Sequence, residues 1–204
     1  MPRFLMDPNK GTSDTLEAPP VAIRPFVVAD APALLDAVLQ SLESLCASMT
    51  WCVPDYGMPH AQAFVSKAAA DWNSGQNYFF AIIDSGDQSF LGSIGVNLID
   101  RAHNIGSLGY WIRKGQEGKG KASAAVRLAA AYAFEKLHLN RLEILVAAGN
   151  LPSRRVAEKS GARSIGHLRN RLILNGKVHD AIMYSFACQD FGQSPRVPGT
   201  RARP

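Results

Sequence analysis

The sequence lacks the features of secreted, membrane-spanning and disulfide-rich proteins. No apolar run approaches the roughly 18 residues that cross a bilayer, and the N-terminal residues lack the apolar stretch of a secretory signal. Cysteine is scarce: Cys46, Cys52 and Cys188 are too few and too scattered for a disulfide framework or a zinc site. These absences predict a reduced, cytoplasmic protein in which Cys46 and Cys52 are small buried residues.

The net charge and the arrangement of the histidines also limit the classes of ligand that the protein is expected to bind. The net charge is +5 over 204 residues, and part of that excess lies in the C-terminal segment 192–204, so it does not indicate a surface for nucleic acid. The histidines have no metal-ligand spacing, and no metal is expected. One basic cluster, from Arg113 to Arg127, favours a small anionic ligand.

What the sequence does have is enough apolar surface for one core, since 47% of its residues are hydrophobic. Composition assigns residues 1–20 and 192–204 to disordered tails and residues 21–191 to a folded domain. Hydrophobic periodicity predicts an α/β fold with a mixed sheet. The predicted strands are Val21–Phe26, Tyr78–Asp84, Phe90–Asp100, Ser107–Ile112, Asn140–Ala147, Ser164–Leu174 and Val178–Ala187. The predicted helices are Asp30–Ser44, His60–Trp72, Ala122–Leu139 and Pro152–Ser160.

A glycine-rich segment, Glu117–Ser123, joins a predicted strand to a predicted helix. The first turn of a helix has backbone N–H groups without internal partners and the positive end of the helix dipole, so it binds anions. Glycines allow a ligand to reach that backbone, and lysines add positive charge. This segment, which contains Gly118, Lys119, Gly120, Lys121, Ala122 and Ser123, is therefore expected to hold an anion such as a phosphate group.

Two other nucleotide-binding motifs fit this segment only in part. Gly115–Lys121 matches the phosphate loop of nucleotide hydrolases, but Ala122 follows where that motif needs Ser or Thr for magnesium. The dinucleotide fingerprint G-x-G-x-x-G fails after Gly120. A tight strand-to-helix turn, with glycines for geometry alone, is the remaining alternative.

Four motifs in order give the chain a family resemblance from about Val21 to Phe186. It resembles the GNAT superfamily of acetyl-CoA-dependent N-acetyltransferases, and within it the RimJ/RimL-like branch of ribosomal-protein N-terminal acetyltransferases. The resemblance implies a mixed, mostly antiparallel sheet of about six to seven strands with about four helices, and a splayed pair of strands at the cofactor site. The motifs are Leu108–Ile112 (LGYWI), Gly118–Ala122 (GKGKA), Asn150–Gly161 (NLPSRRVAEKSG), and Asn175-Gly176 followed by Asp180 and Tyr184.

The resemblance also implies where acetyl-CoA binds. The amides of residues 118–123 would hold the pyrophosphate, although Glu117 departs from the family's Gln or Arg and receives no phosphate role. The backbone near Trp111 and Ile112 would pair with the pantetheine arm, and Arg154 is assigned to the same ligand.

For the chemistry, the resemblance implies direct transfer from the thioester to an amine. Ser153 would protonate or hydrogen-bond the leaving sulfur, unless it only caps its helix. Asn150 would position the pantetheine or the substrate, and Trp51 and Tyr110 would contact the acceptor. The general base is unassigned, because Ser107 stands where this branch often has Glu; Asp100 and Asp180 are weaker alternatives.

The acceptor is predicted to be a protein N-terminal α-amine. The pKa of an α-amine lies near 8, so a substantial fraction of the amine is neutral without a general base. A lysine side chain, with a pKa near 10.4, would need more help to lose its proton. A small-molecule amine (antibiotic, polyamine or amino acid) is an alternative, as is a non-catalytic sensor that binds acyl-CoA. A nucleotide hydrolase ranks last. A homodimer is compatible with the resemblance, and neither a membrane nor a nucleic acid is expected as a partner.

Overall fold

The computed structural model describes residues 3–4 and 15–197. The sheet in these residues has nine strands: β1 (Arg3–Phe4), β2 (Leu16–Ala18), β3 (Val21–Pro25), β4 (Tyr78–Asp84), β5 (Phe90–Asp100), β6 (Ile105–Ile112), β7 (Arg141–Ala147), β8 (Arg163–Leu174) and β9 (Lys177–Ala187). The α-helices there are α1 (Ala31–Gln40), α2 (Leu42–Ser48), α3 (Met58–Ser74), α4 (Lys121–Glu135) and α5 (Leu151–Lys159).

The sheet separates two hydrophobic cores. Its strand order is β1-β2-β3-β4-β5-β6-β7-β9-β8. Side chains alternate between its faces, so that Ile82 packs in the core beneath α4 while the adjacent Ile83 packs in the core beneath α1 and α3. Helix α5 lies beside α4 and contacts β7 and β8. The predicted α/β fold with a mixed, mostly antiparallel sheet is confirmed.

One pair of strands departs from the antiparallel pattern. β6 and β7 are parallel and pair only at Ile105–Ser107 and Arg141–Glu143. Beyond these residues β6 stays paired with β5, and β7 stays paired with β9. The two strands therefore splay, as predicted, and leave a β6–β7 gap between residues 108–112 and residues 144–147.

The extents of some elements differ from the sequence-based expectation. The helix predicted over Asp30–Ser44 is two helices, because the hydroxyl of Ser41 donates to the carbonyl of Ala37 at 2.8 Å and accepts from the backbone N–H of Lys114 at 2.9 Å. Five α-helices thus replace the expected four in the described ranges. The strand β2 pairs with Val21–Ile23, so the sheet begins inside the segment assigned to a disordered tail.

Most of the two predicted tails lies outside the described residues. At the C-terminal side, residues 192–197 have no regular secondary structure. The backbone N–H of Arg196 donates to the side-chain oxygen of Asn140 at 2.7 Å, and the Asn140 amide donates back at 2.7 Å. Arg196 is therefore held beside Asn140, the residue before β7.

The cysteine prediction was wrong for two of the three residues. Cys46 in α2 and Cys52 in the following loop form a disulfide, because the turn after α2 brings their Cα atoms to 4.8 Å. Cys188 is free and buried. No helix in the described residues has the length and apolar character to cross a membrane.

Candidate active site

The loop between β6 and α4 has a backbone that glycine makes possible. Gly115, Gly118 and Gly120 have φ angles of 84°, 74° and 78°, in the left-handed region that residues with a Cβ rarely adopt. A Cβ built at any of the three would meet no atom within 4 Å. The space above this loop is therefore open to a ligand.

The start of α4 presents unused hydrogen-bond donors to that space. Its N-cap, Gly120, supplies no side-chain cap. In the described ranges, no hydrogen bond begins at a backbone N–H from Gly118 to Ser123; the first one in α4 runs from Ala124 to the carbonyl of Gly120, at 3.0 Å. An anion such as a pyrophosphate would satisfy these donors and the helix dipole together. The residues present therefore fit the pyrophosphate of CoA.

Two charged side chains of the loop, those of Lys121 and Glu117, are held by neighbouring groups of the protein. The ammonium of Lys121 binds Asp84 at 2.5 Å and the side-chain oxygen of Gln116 at 2.8 Å. That hydrogen bond from Lys121 is the main reason why the pKa of Asp84 lies below its usual value. The carboxylate of Glu117 accepts from the backbone N–H of Gly115 at 2.6 Å. Lys121 thus offers a ligand its backbone N–H, and its ammonium anchors the loop to the end of β4.

Ser153, Asn150 and Tyr110 meet on the face of the sheet covered by α4 and α5. The side-chain oxygen of Asn150 accepts from the backbone N–H of Ser153 at 3.1 Å, so Asn150 is the N-cap of α5. The hydroxyl of Tyr110 donates to the carbonyl of Ser153 at 2.9 Å and lies 3.1 Å from its Oγ. The Ser153 hydroxyl is therefore beside Tyr110, and the capping role considered for it belongs to Asn150.

Tyr110 is a neutral donor in this arrangement. Burial raises the pKa of its hydroxyl to about 12, although the hydrogen bond with Ser153 acts in the opposite direction. The phenol consequently keeps its proton at neutral pH. Because its own proton points to the Ser153 carbonyl, the Tyr110 oxygen can accept a hydrogen bond from the Ser153 hydroxyl. That hydroxyl can instead donate to a thiolate that develops beside it.

The guanidinium of Arg154 forms hydrogen bonds with other groups of the protein. Its Nε donates to the Tyr184 hydroxyl and its Nη1 to the carbonyl of Ala148, both at 3.3 Å. Tyr184 is fully buried and donates to Glu158 at 2.8 Å. This guanidinium braces α5 against the sheet, and its assignment to the cofactor stays a prediction.

The aromatic residues assigned to the acceptor and cofactor lie on two faces. Trp111 is buried on the α1–α3 face, where its ring centroid is 6.2 Å from that of Trp51. Trp51 is 44% exposed. Tyr110 and Ile112 project to the α4 face. The structure thus places Trp51 and Tyr110 on opposite sides of the sheet, because adjacent strand residues alternate.

The carboxylates considered as bases have local structural roles. Asp100 accepts from the backbone N–H of Ala102 at 2.8 Å and pairs with His103 in a turn. Asp180 accepts from the backbone N–H of Asn170 at 2.9 Å and pairs with His167. Each carboxylate is therefore bound to groups of its own turn or strand pair.

Sequence reasoning missed Glu143. Its Cα pairs with that of Ser107, at the last pair before β6 and β7 separate. Both residues line a pocket on the sheet face away from α4, together with Leu98, Leu145, Arg171 and Met183. The available signal in the sequence was the alternation of Arg141 and Glu143 with the apolar residues Leu142 and Ile144, but the partner of Ser107 follows only from strand register.

Comparisons with known proteins show which family the chain resembles. The Acetyltransferase (GNAT) domain family matches residues 21–163. YdaF of Bacillus subtilis (strain 168), a candidate ribosomal N-acetyltransferase by its name, is 34% identical over 168 residues, which cover 81% of this chain and 90% of YdaF.

Two solved structures share the fold at lower identity. The microcin C7 self immunity acetyltransferase MccE, in complex with acetyl-CoA and AMP, has a TM-score of 0.79 at 21% identity and covers 86% of this chain and 97% of its own. RimL, a ribosomal L7/L12 α-N-protein acetyltransferase in complex with CoA, has a TM-score of 0.77 at 20% identity and covers 83% and 95%. With a family match over more than half of its length, the chain belongs to the GNAT family and is an N-acetyltransferase.

Proposed function

We propose that this protein transfers the acetyl group of acetyl-CoA directly to the α-amine of a protein N-terminus. The observation that carries the proposal is a continuous path. It leads from the open amides of Gly118–Ser123, along the edge of β6 that β7 leaves unpaired, to the hydroxyls of Tyr110 and Ser153. CoA has a pyrophosphate, an extended amide-bearing arm and a thiol in that order, which matches this path.

Each part of the path has a chemical task. The N-terminal amides of α4 would bind the pyrophosphate. The free edge of β6 would hydrogen-bond the amides of the pantetheine arm, and a backbone N–H near Tyr110 or Trp111 would stabilise the negative charge that develops on the thioester oxygen. As the carbon–sulfur bond breaks, the Ser153 hydroxyl would donate to sulfur, with Tyr110 holding that hydroxyl in place.

The choice of an α-amine rests on chemistry and on relatives. An α-amine titrates near pH 8, so it loses its proton more readily at neutral pH than a lysine side chain. YdaF carries a ribosomal N-acetyltransferase name at 34% identity, and RimL acts as an α-N-protein acetyltransferase. MccE shares the same fold, so the fold by itself does not select the acceptor.

Thiol release with a panel of amines tests the proposal. The panel contains peptides with N-terminal Ser, Ala or Met, the same peptides with blocked N-termini, spermidine and free amino acids. We expect acetyl-CoA to raise the melting temperature, ATP with magnesium to leave it unchanged, and only free peptide N-termini to release CoA efficiently. Faster turnover of spermidine or amino acids would replace the peptide acceptor with a small amine, and binding without turnover of any amine would indicate a sensor.

A further inference from the structure

The pocket that Ser107 and Glu143 share lies across the sheet from Tyr110 and Ser153. Leu142 and Ile144 are buried in the α4 core, so Glu143 between them projects to the opposite face. The β6–β7 gap connects the two faces, because the strands separate immediately after this pair. A thioester in the gap would therefore have the leaving-group hydroxyls on one side and this pocket on the other.

An open groove leads along β6 to the pocket. Ser107, Gly109 and Trp111 alternate onto the same face of the sheet. Gly109 is exposed, and a Cβ built there would meet no atom within 4 Å. The groove above Gly109 is bounded at one end by the Trp51–Trp111 pair and at the other by Ser107 and Glu143.

The pocket combines one carboxylate with apolar walls. Glu143 is the carboxylate, and Leu98, Leu145 and Met183 supply the walls. Arg171 also lines the pocket, but it is exposed and forms no ion pair with Glu143 within the described residues. Nε of Arg141 binds one carboxylate oxygen of Glu143 at 2.7 Å. The other oxygen receives no hydrogen bond from the described part of the chain, and the side chain is 31% exposed. A free carboxylate oxygen at the mouth of the gap is an acceptor for an ammonium.

We propose that Glu143 binds the ammonium of the acceptor in this pocket and takes up its proton; this inference rests on the proposed transfer to a primary amine. One proton passes from the ammonium to the carboxylate, and the freed lone pair attacks the thioester carbon. The carbon–nitrogen bond forms as the carbon–sulfur bond breaks, and sulfur leaves as the thiol with a proton from Ser153. The second amine proton passes through water to restore the Ser153 hydroxyl, and Glu143 returns its proton to solvent.

The register explains how this chain supplies the carboxylate. The resembled branch often has Glu at the position of Ser107, on β6. Here its neighbour on β7, about 4.8 Å away in the hydrogen-bonding direction, has the carboxylate on the same face. The carboxylate of Glu143 therefore lies in the same pocket but comes from β7 and not from β6.

The experiment compares Glu143→Gln with the wild type, by thiol release with N-terminal Ser and Ala peptides from pH 6.5 to 9.5. We expect kcat/KM at pH 7 to fall by about 10²-fold, with an unchanged Kd for acetyl-CoA. The loss should shrink above pH 8, where the peptide amine is already neutral. Wild-type kcat/KM for Glu143→Gln over the whole pH range would overturn the proposal.

Two variants separate the carboxylate from its ion pair. Arg141→Gln breaks the same pair and keeps the Glu143 carboxylate, so we expect a much smaller loss than in Glu143→Gln; a loss equal to that of Glu143→Gln would assign a structural role to the pair and overturn the proposal. Adding Ser107→Glu to Glu143→Gln returns a carboxylate to the pocket, and recovered activity would support it.

A binding measurement distinguishes this proposal from the function on which it rests. If the wild type releases no thiol with any amine, the proposed acetyl transfer is wrong. Calorimetry with the same peptides in the presence of CoA then decides the ammonium site. Weaker peptide binding by Glu143→Gln supports it, and equal affinities overturn it.

Discussion

The two sides of the β6–β7 gap are built from different kinds of group. On the cofactor side, the donors at Gly118–Ser123 are backbone amides, set by glycine conformations and by the start of a helix. On the side proposed for the acceptor, the pocket around Glu143 is formed by residues of β5, β6, β7, β8 and β9. Backbone amides would bind the pyrophosphate, which is the same in every acetyl-CoA molecule, whereas a site made of side chains can differ with the acceptor.

The largest effect on ligand binding should come from Gly120→Val, which disrupts the backbone amides on the cofactor side of the gap. A β-branched residue cannot readily adopt φ 78°, and its side chain would occupy the space of the ligand. We expect acetyl-CoA affinity, measured by calorimetry, to fall by about 10²-fold or more. Gly176→Ala, at φ 71° in the β8–β9 turn, is the control for strain alone. Equal loss of affinity in both variants would contradict the loop assignment.

A smaller effect is expected from Ser153→Ala, at the junction of the two sides. Removal of the hydroxyl should lower kcat by about 10²-fold or less and leave the Kd for acetyl-CoA unchanged. Asn150→Ala removes the cap of α5 and should lower the free energy of unfolding of the apo protein by about 1 kcal/mol. Stability loss in Ser153→Ala instead, seen by urea denaturation, would reverse the two roles.

Gly109→Val tests the side-chain face without touching the cofactor face. Gly109 is exposed and extended, so valine suits its strand conformation. We expect the KM for the acceptor to rise about tenfold because the groove is filled, an effect of roughly 1.4 kcal/mol. The melting temperature and acetyl-CoA affinity should not change. An unaltered KM would show that the acceptor enters elsewhere.

The smallest effect concerns the ion pair that holds the loop. Because Lys121 lowers the pKa of Asp84 in the folded protein, this carboxylate contributes stability above its unfolded pKa of about 3.9. That contribution is lost as the pH falls through the lower folded pKa. Unfolding measured from pH 6 to 2 should therefore show a shallower acid decrease in Asp84→Asn than in the wild type. Parallel curves would contradict the prediction.

The parts that could be predicted from sequence are local. Phe90–Asp100 and Tyr78–Asp84 were predicted to their ends, and the Asn175-Gly176 turn joins β8 and β9 as expected, because strand alternation and turn conformation depend on neighbouring residues. The break at Ser41 was missed, since its hydroxyl is held by the backbone of Lys114, which is distant in sequence.

The hydrogen-bond partners of the polar side chains were the least predictable feature of the candidate site. Lys121 and Arg154 were expected at the cofactor from their charge and their motif. The structure pairs the first with Asp84 and the second with Tyr184 and Ala148. Ser153 was considered as a possible cap of the helix predicted from Pro152, but the cap is Asn150, whose side-chain oxygen accepts from the Ser153 backbone N–H, and the Ser153 hydroxyl lies beside Tyr110.

The sequence by itself determined the loop with its glycines, the helix that follows it and the motif at Asn150–Ser153, because each depends on residues close together in the chain. Only the tertiary structure decided that Cys46 bonds to Cys52, that Trp51 and Tyr110 lie on opposite faces, and that Glu143 stands beside Ser107. The register between β6 and β7 is set by the packing of two cores on either side of one sheet. No local pattern encodes that register, and it brings together residues that are 36 positions apart.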